Sequence, residues 1–81
     1  MSDEAAILAG ISEVAQLHLG WEGPLTADMR LVEDLRLDSI RLLTLAAEVE
    51  NRFRVLLDEM DEAAIETVGD LVAVVRRKLG A

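Results

Sequence analysis

Apolar residues recur at spacings of three and four in three stretches of the chain, the pattern of amphipathic helices. The first stretch carries Ile7, Leu8, Ile11, Val14, Ala15 and His18 and stops at Gly20. It predicts a helix over residues 3–19, with Ser2 as its cap and Asp3 and Glu4 at the positive end of its dipole. Gly10 sits inside that helix at a cost of about 1 kcal/mol relative to alanine, which close helix packing would justify. A second helix is predicted over residues 39–53, opened by Asp38 or Ser39 as the cap. A short helix is expected over 61–66. The last begins at Thr67-Val68-Gly69-Asp70, a capping-box start in which aspartate stands for the usual glutamate. Val68, Leu71, Val72, Val75 and Leu79 form its apolar face, and Arg76, Arg77 and Lys78 close it where cations complement the dipole.

Between Gly20 and Asp38 no period is sustained, so this segment reads as a long ordered loop. Its Leu25, Leu31, Val32, Leu35 and Leu37 are expected to fold down onto the core. The fold class is therefore all-α: a small up-and-down bundle of three main helices plus one short helix, in one domain over residues 1–81.

The second helix has two apolar faces. At about 100° per residue, Leu42, Leu45, Ala46, Val49 and Phe53 share one sector, while Ile40, Leu43 and Ala47 share another roughly half a turn away. A bundle this thin buries only one of them. Large aliphatic side chains gain about 1.5–3 kcal/mol each on burial, so the broader stripe should take the core and leave Ile40, Leu43 and Ala47 near solvent. Scattered exposed apolar residues are ordinary. These three lie beside Asp38-Ser39 in the opening turns, where a greasy patch bordering a hydroxyl suits recognition by another protein.

Composition narrows the chemistry. The chain has 81 residues, 52% hydrophobic but only 2% aromatic, so one small aliphatic core is expected and a deep private active site is not. Sixteen acidic against eight basic residues give a net charge of -8, the wrong sign for nucleic acid. Cysteine is absent, which removes disulfides, thiolate metal sites and a cysteine nucleophile; no metal site is expected, and a reactive thiol would have to be borrowed. The N-terminus lacks a signal-peptide pattern and no apolar run reaches the ~18 residues of a membrane span, so a soluble cytoplasmic protein without a membrane partner is expected.

Ser39 is the candidate site residue. Capping alone would select serine after aspartate at a helix start. A catalytic role lacks a base, because the one histidine, His18, lies on the first helix and reads as a packed residue at the edge of its apolar stripe. A hydrolytic triad would also need a pocket and an oxyanion hole. The chain is thus not expected to be an enzyme, and a reacting Ser39 would be the substrate of another enzyme.

The residues around it carry a resemblance. Leu31-Val32-Glu33-Asp34-Leu35-Arg36-Leu37-Asp38-Ser39-Ile40 resembles the phosphopantetheine attachment motif of acyl carrier proteins. Phe53 stands where that family has the phenylalanine closing its second helix, and Ile65-Glu66-Thr67-Val68-Gly69-Asp70-Leu71 is similar to its junction between the last two helices. The likeness covers essentially the whole chain. It implies a monomer whose Ser39 carries 4′-phosphopantetheine through a phosphodiester, installed from coenzyme A by a magnesium-dependent phosphopantetheinyl transferase. The arm would hold acyl or aminoacyl groups as thioesters and bring them to acyl-loading, condensing and modifying enzymes. Asp38 would belong to the surface the transferase reads, and Ile40, Leu43 and Ala47 match, by offset from the serine, positions that contact partner enzymes.

The departures from the family pattern are specific. Arg36 replaces a common glycine, so a left-handed backbone there would be strained. Ile40 replaces leucine. The second helix balances Arg41 and Arg52 against Glu48 and Glu50, where fatty-acid carriers are strongly acidic, which points to polyketide, nonribosomal-peptide or other specialised biosynthesis. Acidic residues gather instead at Glu33, Asp34 and Asp38, and at Asp58, Glu59, Asp61, Glu62 and Glu66, either as a solvated surface or as a complement to basic partners. The alternative reading is an unmodified helical adaptor that binds partners through the Ile40, Leu43 and Ala47 face.

Overall fold

The computed structural model describes residues 3–80. In chain order they form α1 (Glu4–Leu19), α2 (Ser39–Phe53), α3 (Glu59–Ala63) and α4 (Val68–Lys78). Helix α1 packs against both α2 and α4. The all-α expectation holds.

Each helix starts where a side chain satisfies an orphan N–H. Asp3, rather than Ser2, caps α1, its carboxylate accepting from the Ala6 N–H at 2.7 Å; Ser2 itself lies outside the described residues. Gly20 ends the helix in the left-handed conformation with φ 68°, donating to the Ala15 carbonyl. Thr67 and Asp70 form the expected reciprocal capping box at α4. Helix α3 differs from expectation. It begins two residues early, at Glu59 instead of Asp61, because Asp58 and Asp61 make a capping box of their own. It ends at Ala63, before the turn that feeds Ile65 into the core cluster.

The core is aliphatic. Ile7, Ile11 and Val14 of α1 meet Leu45 and Val49 of α2 and Val68, Leu71, Val72 and Val75 of α4. The long loop contributes Leu25, Leu31, Leu35 and Leu37, while Val32 points to solvent. Leu79 is only partly covered, at 37% exposure, and Val74, which the periodicity did not single out, is buried. Gly10 is a close-packing site, since a Cβ there would stand 2.6 Å from Cζ of Phe53.

Ion pairs fasten the helix ends. Arg76 reaches Glu4, and both Arg77 and Lys78 reach Asp61. The basic cluster of α4 is therefore engaged within the molecule. Asp61, expected at a solvated surface, is instead buried at 6% exposure. The Lys78 ammonium, hydrogen-bonded to its carboxylate, and the Asp58 N–H hold its pKa down to about 2.

Candidate functional site

The site forms where the long loop hands over to α2. Leu31, Leu35 and Leu37 are buried and anchor the loop from beneath. Its middle is stitched to the α3–α4 junction by a two-residue bridge, Arg30 with Thr67, in which the Leu31 N–H donates to the Glu66 carbonyl at 3.0 Å and the Val68 N–H to that of Met29 at 2.9 Å. Asp70 reinforces the junction by accepting from the Glu66 and Thr67 N–H groups, which hold its carboxyl below the ordinary aspartate range. Gly69 lets this happen. Its N–H donates to the Ala27 carbonyl at 2.8 Å, and a Cβ would stand 3.0 Å from that same oxygen.

From this anchored loop the chain turns sharply at Arg36, which has φ 58°. The left-handed conformation that the glycine-to-arginine departure raised is present, and arginine bears its strain. The turn delivers Asp38 in extended conformation, its carboxylate accepting from the Arg41 N–H at 2.8 Å. Asp38 is the cap, so Ser39 is free of capping duty. It occupies the first helical position and is exposed.

Two surfaces meet at that hydroxyl. On the outer side of α2, Ile40 is 74% and Leu43 65% exposed, and Ala47 is exposed below them. The second apolar face lies in solvent as its helical sector predicts. The charged side chains of α2 turn elsewhere: Arg41 donates to the Leu19 carbonyl, Glu50 accepts from the Leu57 N–H, and Arg52 pairs with Glu13 at 2.8 Å. Arg52's hydrogen bond and charge hold the Glu13 carboxyl below its ordinary range.

The second surface is a cleft of about 420 Å³ running from Ser39 and Leu43 along Leu42, Leu45 and Ala46 to Leu57, Ile65 and Leu71. Sequence reasoning missed it. Leu57 and Glu62 come from the loop and the short helix, whose side-chain directions no periodicity over five residues reveals. A pocket of this size is within the range of small-molecule sites, roughly 300–1,000 Å³. His18 does not line it. Rather than packing into the core, His18 is exposed and stands 3.3 Å from Glu48, tying α1 to α2. Asp38, Ser39, Ile40, Leu43 and Ala47 thus lie together, exposed, on and just before the opening turns of α2. Among the described residues no group of histidine and acidic side chains is arranged to hold a metal ion, and no helix is long and apolar enough to cross a membrane.

Comparison with known proteins agrees with this geometry. Residues 6–75 match the family described as the phosphopantetheine attachment site. The acyl carrier protein of Thermotoga maritima is 33% identical over 81 residues, covering 99% of this chain and 100% of that protein. The meromycolate extension acyl carrier protein of Mycobacterium tuberculosis is 33% identical over 72 residues; the match covers 88% of this chain and 63% of that longer protein. Among solved structures, one described as a candidate acyl carrier protein from Mycobacterium tuberculosis superposes with a TM-score of 0.82 at 32% identity, over 88% of this chain and 96% of that one.

Proposed function

The chain belongs to the phosphopantetheine-attachment family of acyl carrier proteins, and from that premise we propose that Ser39 is the attachment residue. The observation that carries this reading is the exposed Ser39 hydroxyl at the first position of α2, relieved of capping by Asp38. The residues suit a phosphodiester. The first-turn N–H groups of a helix lack intrahelical acceptors and, with the dipole, favour an anion, although the Asp38 carboxylate opposes it.

In the loading step the Ser39 oxygen forms a phosphodiester with the pantetheine phosphate of coenzyme A while the pyrophosphate bond breaks. Adenosine 3′,5′-bisphosphate leaves, and the hydroxyl proton passes to the transferase. When bound, the group supplies the terminal thiol that holds an acyl or aminoacyl chain as a thioester. This chain's residues then position and present. The bridge at Arg30 and the cap at Asp38 fix the start of α2; Ile40, Leu43 and Ala47 offer partner enzymes an apolar footing; Asp38 is part of the surface read by the transferase. Tethering raises the local concentration of cargo at a docked active site without catalytic groups on the carrier.

The partners in this reading are a phosphopantetheinyl transferase and the loading, condensing and modifying enzymes of a biosynthetic pathway in the cytoplasm, where coenzyme A is available. The outer face of α2 carries no acidic patch, and one relative is named for meromycolate extension, which together favour specialised acyl biosynthesis. Intact mass after incubation with coenzyme A, magnesium and a broad-specificity transferase tests the assignment. The native chain gains the arm and Ser39→Ala does not; equal gain by both would move the attachment elsewhere.

A further inference from the structure

One charged residue, Glu62, lines the otherwise apolar cleft that begins at Ser39. Among the described residues its carboxylate takes part in no ion pair or hydrogen bond, while the three cations ending α4 are already engaged, Arg76 by Glu4 and Arg77 and Lys78 by Asp61. Glu62 thus lines an apolar wall as an exposed residue whose carboxylate is unpaired. A plain alkyl chain lying along Leu45, Leu57 and Ile65 would take water from one side of this carboxylate and return no hydrogen bond, which is unfavourable. A donor on the chain would return it, and hydrogen bonds to an ionised carboxylate are roughly twice as strong as neutral ones.

We propose that Glu62 sets the cargo class: the cleft holds acyl groups bearing a hydrogen-bond donor, a hydroxyl or an amine, in preference to unsubstituted alkyl chains. The inference rests on the carrier reading, because an arm at Ser39 is what brings an acyl group to this cleft. Glu62 acts as a specificity residue and takes no part in chemistry.

The test loads the full chain, through a broad-specificity transferase, with amide-linked coenzyme A analogues carrying octanoyl, β-hydroxyoctanoyl or β-aminooctanoyl groups. Intact mass reports loading; methyl chemical shifts of Leu45, Ile65 and Leu71 and the melting temperature report occupancy of the cleft. Both donor-bearing forms are expected to shift those methyls further than the octanoyl form and to melt about 4 °C higher. In Glu62→Ala the gap closes. In the isosteric Glu62→Gln it shrinks for both donors, which keep a carbonyl acceptor but lose the ionised one. Because Glu62 is exposed, both variants keep the native circular dichroism. Equal melting of all three native forms, or a gap that survives Glu62→Ala, overturns the selection while leaving the carrier reading intact. Absence of any mass gain sinks the carrier reading and the selection with it.

Discussion

The Phe53 ring lies directly over Gly10, so that a methyl group on Gly10 would stand 2.6 Å from Cζ and 3.1 Å from Cε1. This contact sets how closely α1 approaches α2, and hence the platform from which Ser39 is presented.

Gly10→Ala opposes two effects. Helix propensity favours alanine by about 1 kcal/mol, while overpacking costs about 1–3 kcal/mol. The clash should win, with a net loss of about 1 kcal/mol and a fall in melting temperature of about 4–8 °C. Thermal unfolding followed by circular dichroism checks this. The double variant Gly10→Ala with Phe53→Leu should recover part of the loss; if Gly10→Ala alone is stabilising, the ring moves aside more easily than the packing suggests.

The backbone at Arg36 and Arg54 offers a second measurement. Both have φ 58° in a region that glycine occupies without strain, and non-glycine residues there cost about 1–3 kcal/mol. Glycine gives back about 0.4–1 kcal/mol in the unfolded chain. Arg36→Gly and Arg54→Gly should therefore each raise stability, by about 1 kcal/mol, in urea unfolding. Alanine at either position should give no such gain, since it bears the same strain; an equal gain from alanine would trace the effect to the lost charge.

Acid should loosen α3 in a defined window. Asp61 has its pKa lowered from 3.8 to about 2, first by the hydrogen bond from Lys78, then by the Asp58 N–H, with the Lys78 charge adding to both. A depressed carboxyl pKa contributes stability above the unfolded value, and loses it as pH falls through the folded one. Its share is thus complete above pH 3.8 and fades down to about pH 2. Glu13 and Asp70 are shifted in the same direction and steepen the same acid limb. Asp61→Asn should melt lower than the native chain near neutral pH and approach it at the acid end. A constant difference across the range would mean that Asp61 acts through packing alone.

Much of this fold is legible from periodicity and capping. The α2 bounds and the Thr67-Asp70 box follow from side chains that act on their own local backbone, as does the exposure of Ile40, Leu43 and Ala47 from helical angle. The misses are tertiary. Val32 has the hydropathy of its buried neighbours but faces out, because the bridge between Arg30 and Thr67 fixes the strand-like alternation that sends Leu31 inward. Asp61 looks like one more surface acid until α4 brings Arg77 and Lys78 to it from sixteen and seventeen positions away in sequence. The Ser39 cleft needs α2, the following loop, α3 and the start of α4 together, so no local pattern announces Glu62.

The exposed face of α2 yields the last prediction. Leu43 contributes little to the core, being 65% exposed, yet it borders both the outer apolar patch and the cleft at Ser39. Leu43→Asp should leave helicity and melting temperature nearly unchanged, because its carboxylate remains solvated. It should lower kcat/KM for transfer of the pantetheine arm to Ser39 by about tenfold, the loss expected when an apolar anchor worth about 1.4 kcal/mol is removed from a small interface. Ala47→Asp, farther from the serine along the same face, should cost less. Arg41 points toward α1 through the Leu19 carbonyl, so Arg41→Gln should leave transfer almost untouched. If Arg41→Gln and Leu43→Asp reduce transfer equally, the enzyme reads charge around the helix start rather than the apolar stripe, and the role assigned to Ile40, Leu43 and Ala47 fails.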